Sequence, residues 1–142
     1  MITKYTRAVA EHNGEVYYAS TSEAQTNHLW IIKIRGESYA TDEGFEHKGD
    51  VTLKQVPIAE LDGWYRDQVK ATWRGEPFVV HPLQDGKVGA DFVGGSSVWA
   101  EENGLEGDQY SGFHGVLDEG ELENVQVDRT DYLARWKKEN QG

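Results

Sequence analysis

The 142-residue sequence has no cysteine, a single methionine and only 3 prolines. Without cysteine there are no disulfides and no thiolate metal sites, which fits a reducing compartment. No run of about 18 apolar residues occurs, and the opening MITKYTRAVAEHNGE lacks the apolar stretch and small-residue cleavage site of a secretory leader. The reading is a cytoplasmic chain that does not enter a membrane. Basic residues are scarce too, 14 against 25 acidic ones, giving a formal net charge of −11. Between Val88 and Asp128 there is no Lys or Arg, whereas Asp91, Glu101, Glu102, Glu106, Asp108, Asp118, Glu119, Glu121, Glu123 and Asp128 all fall there. A field of that sign repels phosphate and anionic lipid and attracts basic proteins. The competing reading of such a surface is plain solubility.

What the chain does contain is glycine, 16 of them, and aromatic residues, 5 Trp, 7 Tyr and 4 Phe. That composition suits a folded, turn-rich protein with a modest core. It also says one thing twice. AEHNGEVY at Ala10–Tyr17 matches ATWRGEPF at Ala71–Phe78 in pattern, and EGFE at Glu43–Glu46 matches NGLE at Asn103–Glu106. VTLKQVPIAELDGWYRDQ from Val51 then matches SGFHGVLDEGELENVQVDR from Ser111, with Leu53 set on Phe113, Val56 on Val116 and Leu61 on Leu122. Two collinear copies, residues 1–67 and 68–142, explain this order better than chance does.

Within each copy the apolar period is near two and the residues are β-branched or aromatic, so short strands separated by glycine turns are expected. EVYYAS, HLWIIKI and TLKQVPI read as strands in the first copy, PFVVHPL, VGADFVG and FHGVLD in the second. Asn13-Gly14, Arg74-Gly75 and Asp85-Gly86 supply hairpin turns. After the fourth strand of each copy comes a brief polar stretch, AELD or EGELE, and then a further extended run. WYRDQVKATW serves as the closing strand of one copy and the opening strand of the next. The ending TDYLARWKKENQG reads as a short helix or tail docked by Tyr132, Leu133 and Trp136.

Strand order, spacing and the one-turn insert resemble the SH3-like small barrels, repeated in tandem. The fold class expected is therefore mainly β, two SH3-like barrels from an internal duplication, with one-turn helices and a C-terminal helix. Small acidic tandem barrels of this kind are also similar to bacterial immunity components of toxin systems.

The usual signatures of catalysis are missing. His12, His28, His47, His81 and His114 include no pair at metal-ligand spacing, and no histidine recurs between the copies, since His12 falls on Trp73, His47 on Gly107 and His114 on Lys54. DEGELENVQVD is not a calcium loop. FVGGSSVW at Phe92–Trp99 carries no phosphate-loop or nucleophile-elbow pattern and no strongly helical continuation. Neither a metal nor a cofactor is expected. Nucleic-acid binding on aromatic platforms needs cations among the rings, and here the charge is opposite.

Aromatic anchors rimmed by carboxylates make a protein interface. The expected function is a non-catalytic protein-binding module whose acidic face docks a basic protein, with a toxin inhibitor as the sharpest case. The residues assigned to that face are Trp99 and Tyr110 as anchors and Glu101, Glu102, Glu106, Asp108, Glu119, Glu121 and Glu123 for steering. Trp73 and Phe113 are assigned to the core. The rivals are a small enzyme using His81 or His114 in a cleft between the barrels, and a peptide-binding adaptor with a row of exposed aromatics. A monomer or a weak homodimer through open edges fits the pattern.

Overall fold

The computed structural model describes residue 5 and residues 7–140. The protein is mainly β. In order, the described residues form β1 (Val9–His12), β2 (Glu15–Ser20), β3 (His28–Ile32), β4 (Glu46–Lys48), β5 (Val51–Pro57), a one-turn helix at Ile58–Glu60, and β6 (Gly63–Trp73). There follow β7 (Glu76–Pro82), β8 (Lys87–Phe92), α1 (Ser97–Glu102), β9 (Glu106–Asp108), β10 (Gly112–Asp118), a second one-turn helix at Glu119–Glu121, β11 (Glu123–Asp131) and α2 (Tyr132–Glu139).

The strands hydrogen-bond in the order β4-β5-β3-β2-β1-β6-β7-β8-β10-β9, with β11 also on β6. The path is open at β4 and β9, so the pairing itself does not close a barrel. Two compact units share it, residues 7–66 with 129–140, and residues 67–128. Their internal orders are the same. The first runs β4-β5-β3-β2-β1-β6, and the second runs β9-β10-β8-β7-β6-β11. Gly63–Arg66 of β6 belong to the first unit, and its remainder, from Asp67, opens the second. The one-turn helices fall at corresponding places, each after the fifth strand of its copy, β5 or β10, and not after the fourth as expected.

Local chemistry accounts for these elements. Asn13-Gly14 and Arg74-Gly75 all take positive φ, the conformation of a two-residue hairpin turn whose twist matches that of the strands it joins. His12 therefore pairs with Glu15, and Trp73 with Glu76. Alternation along the strands sends one face inward. In the first unit Ala10, Tyr17, Ala19, Leu29, Ile31 and Val56 are buried together; in the second Ala71, Phe78, Val80, Val88, Ala90, Phe113 and Leu117. Full burial of a side chain such as Phe78 or Leu29 contributes about 1.5–3 kcal/mol.

Register corrects the sequence matching in one strand. Trp30 pairs with Gln55 and Ile32 with Leu53, while Gly89 pairs with Val116 and Asp91 with His114. Equivalent positions are thus Val56 and Leu117, both buried, and Leu53 and His114, both on the outer face. The match of Val56 to Val116 was one residue out, and a slip of one exchanges the faces of a strand; Val116 is 65% exposed.

The C-terminal segment also departs from expectation. It belongs with the first unit rather than with the second copy. Asp131 caps α2 by accepting from the Ala134 N–H at 2.9 Å. Leu133 then joins the first unit's core, Trp136 packs against that core and donates its indole N–H to Asn27, and Tyr132 lies against Trp64. A second departure is α1, at a place where no strongly helical segment is expected. Ser96 accepts from the Trp99 N–H at 3.1 Å and starts the helix.

Candidate functional site

All nine residues assigned to the acidic face lie in the 67–128 unit. They do not form one cluster. Glu101 and Glu102 end α1, Glu106 and Asp108 begin and end β9, and Tyr110 lies in the β9–β10 turn. Glu119, Glu121 and Glu123 follow the other end of β10. From His114, opposite Glu106, to Glu119 is five residues of extended chain, roughly 16 Å at the strand rise.

Two of these residues make contacts within their own unit. Trp99 is half-buried: its ring stacks on Phe92 at 5.3 Å and meets Trp73 and Phe78 edgewise or tilted at 6.0 and 6.1 Å. It is a lid of the core, held there by the Ser96 cap. Asp108 is a turn residue, accepting from Ser111 N at 2.7 Å, Tyr110 N at 2.8 Å and the Ser111 hydroxyl at 2.9 Å. Those bonds, the backbone ones first, hold its carboxyl below the usual aspartate range. Tyr110 is exposed to 89%, and it is the one fully exposed aromatic among the described residues. A row of exposed Tyr and Trp, the feature expected of a peptide adaptor, is not formed by them.

Grouping residues by unit sharpens the charge asymmetry. Residues 67–128 carry 13 acidic residues against Lys70, Arg74 and Lys87, whereas residues 7–66 with 129–142 carry 12 acidic and 10 basic ones. Even those cations are engaged. Lys70 pairs with Asp128 at 2.8 Å, Lys87 pairs with Asp118, and Arg74 lies over the Trp73 ring and donates to Asn103. Hydrogen bonding to Asp118 raises the Lys87 pKa, and the same bond, followed by one with Glu121, lowers that of Asp118. Glu101, Glu102, Glu119 and Glu123 make no ion pair among the described residues.

The sequence reading missed a concavity in this unit, a groove of about 410 Å³ on the outer face of β7, β8 and β10. Its walls come from two rows of cross-strand partners. One row is His81, Gly89 and Val116; the next is Asp91 and His114, continued by Glu106 on β9. Gly89 has no side chain, and the His81 ring occupies the space where its Cβ would stand. Leu83, 46% exposed, and Val116 make the apolar part, and the His114 ring nitrogen Nε2 stands 3.7 Å from a Glu106 carboxylate oxygen. His81 and His114, proposed for a cleft between barrels, thus line a groove on one unit's own sheet. The available signal was the alternation on β8, where Lys87, Gly89 and Asp91 alternate with the apolar Val88, Ala90 and Phe92.

Among the described residues, no group of three His, Asp or Glu is arranged to hold a metal ion, and no helix is long and apolar enough to cross a membrane. Comparison with protein-family models, curated proteins and solved structures gave no match.

Proposed function

We propose that the protein is a non-catalytic, cytoplasmic binding module of two SH3-like copies, in which the 67–128 unit docks a basic protein. The observation that carries this reading is the segregation of charge: 13 acidic residues against 3 basic ones in residues 67–128, with Lys70 and Lys87 already paired among them. Carboxylates left without a cation gain most from a partner that brings one, and a one-sign surface accelerates encounter with the opposite sign. The sharpest form is an inhibitor or immunity protein that covers the cationic groove of a toxin. Such an inhibitor works by occlusion and needs no catalytic group of its own. Glu101, Glu102, Glu119, Glu121 and Glu123 steer, and Tyr110 is the aromatic contact left available after Trp99 is assigned to the core.

The test is affinity capture at low salt, followed by titration of the purified captured protein against the wild type and against E101Q/E102Q/E119Q/E121Q. The reading expects a basic partner whose dissociation constant rises with salt and in the variant. A partner bound equally well by both proteins at all salt concentrations overturns it.

A second reading is favoured by one observation, the meeting of His81, His114, Asp91 and Glu106 around a single groove. Imidazole beside carboxylate is acid–base equipment, so a small hydrolase or transferase acting there is the rival. A turnover activity abolished by His114→Ala, with partner affinity intact, would favour it.

A further inference from the structure

The outer face of the sheet differs between the two copies in a way that the shared core does not require. In the first copy, the cross-strand rows are Ser20–Trp30–Gln55 and Tyr18–Ile32–Leu53–Glu46. In the second they are His81–Gly89–Val116 and Val79–Asp91–His114–Glu106. Trp30, Ile32 and Leu53, half-buried apolar residues of the first face, are thus replaced by Gly89, Asp91 and His114. Meanwhile the inward-facing partners stay apolar, Leu29 and Ile31 in one copy, Val88 and Ala90 in the other. Where the first copy has an indole, Gly89 has no side chain and the His81 ring lies over the bare backbone as one wall of the groove.

We propose that this groove seats a lysine or arginine side chain of the basic partner. The proposal rests on the docking reading above and names its anchoring point. The argument is one of complementarity. A long basic side chain has an apolar stem and a charged tip, which suit different surroundings. Leu83 and Val116 offer the stem exposed hydrocarbon, and Asp91 and Glu106 offer the tip two carboxylates across the His114 strand. No Lys or Arg lines the groove. Lys87, one row further along β8, has its ammonium bound to Asp118. An anion would meet the Asp91 and Glu106 charges, and a wholly apolar side chain would strip water from them without replacing it, which is costly. The groove volume of about 410 Å³ lies within the ~300–1,000 Å³ typical of sites that take a discrete ligand group. In the first copy, the corresponding region is lined by Trp30, Ile32 and Leu53 with one carboxylate, Glu23, and one ammonium, Lys48, so an incoming cation finds no net negative charge there.

The probe is a ten-residue oligolysine peptide, titrated into the full chain at low salt with amide shifts followed by NMR. The largest shifts are expected at Leu83, Gly89, His114 and Val116. Asp91→Asn with Glu106→Gln, which preserves shape, should weaken affinity by at least about tenfold, and acetylating the lysine side chains should abolish binding. Gly89→Trp, which installs the first copy's residue, should do the same in a protein whose amide spectrum remains dispersed. If the Asn/Gln pair leaves affinity unchanged while E101Q/E102Q/E119Q/E121Q weakens it, the groove proposal is overturned and acidic docking stands. Absence of any oligolysine binding at low salt overturns both.

Discussion

Gly89 occupies the ladder position that Trp30 holds in the other copy: Trp30 lies between Ser20 and Gln55, Gly89 between His81 and Val116. The strand framework is thus the same in the two units and the surface built on it is not. In the first copy the outer face is filled by an indole; in the second the His81 ring folds down over a bare backbone. Gly89 is in ordinary extended backbone, so its role is to leave room rather than to supply an unusual φ.

Gly89→Ala is therefore expected to fold and to displace the His81 ring, since the obstruction is a side chain that can turn away. The His81 imidazole resonances should shift, with little change in melting temperature. Gly107→Ala makes the contrast. Gly107 has φ +114°, and a Cβ there would run into the Gly112 carbonyl, which is backbone and cannot turn aside. Its cost should exceed about 1 kcal/mol in denaturant unfolding, and equal stability of the two variants would contradict the geometry.

Alkaline pH addresses the first unit. Tyr17 is buried, donates its hydroxyl to Glu15 at 2.9 Å and stacks on Tyr39 at 4.7 Å. Burial first, then the Glu15 hydrogen bond, pushes its pKa well above the ordinary value of 10. The folded state therefore holds this proton more tightly than the unfolded state does. That contribution is complete below about pH 10 and is lost as the pH rises through the folded value. Unfolding free energy should fall above pH 10 in the wild type and fall less steeply in Tyr17→Phe; parallel curves would sink the assignment.

At acid pH, Asp108 provides the opposite sign. Its carboxyl is held low by the Ser111 and Tyr110 hydrogen bonds. The stability it lends is present above the ordinary aspartate pKa of about 3.9 and disappears as the pH falls through the lowered folded value. Asp108→Ala should melt earlier than the wild type at pH 7, and the gap should close in strong acid. A gap that persists there would mean that the carboxylate is not what holds the β9–β10 turn.

Leu133 tests where the C-terminal helix belongs. It is 6% exposed within the first unit's core. Leu133→Ala should cost about 2–5 kcal/mol and loosen hydrogen-exchange protection in β1, β2 and β3. Protection lost in β7, β8 and β10 instead would return the helix to the second copy.

Much of the fold was legible in the sequence because turn chemistry is local. Asn13-Gly14 and Arg74-Gly75 announced their hairpins, and Ala59–Asp62 and Glu119–Glu123 announced the one-turn helices. The strand matching failed by one residue at Val116 because Val116 and Leu117 are adjacent and both apolar, so hydrophobicity alone does not say which faces inward. Only the pairing of β8 with β10 decides it. The helix α1 was hidden by the glycines before it: Ser96 is a residue type that caps helices, but the group it accepts from is the Trp99 backbone N–H, which the sequence does not mark. The placement of α2 depends on Leu133 and Trp136 finding a surface more than 60 residues away in sequence, which no local pattern contains. The acidic tract was plain as composition, but its full asymmetry emerged only once the basic C-terminal helix was counted with the other unit. Trp99 shows the limit in the other direction: beside glutamates it read as an anchor, and Phe92, Trp73 and Phe78 claim its ring.

The most direct test of the docking reading is the association rate constant for the captured basic partner, measured at low and high salt with the wild type and with E101Q/E102Q/E119Q/E121Q. Peripheral carboxylates that steer a cation act mainly on association, so the rate should drop with salt and in the variant, by about tenfold or more, while dissociation changes little. An association rate that responds to neither salt nor neutralisation would contradict the acidic unit as the docking surface.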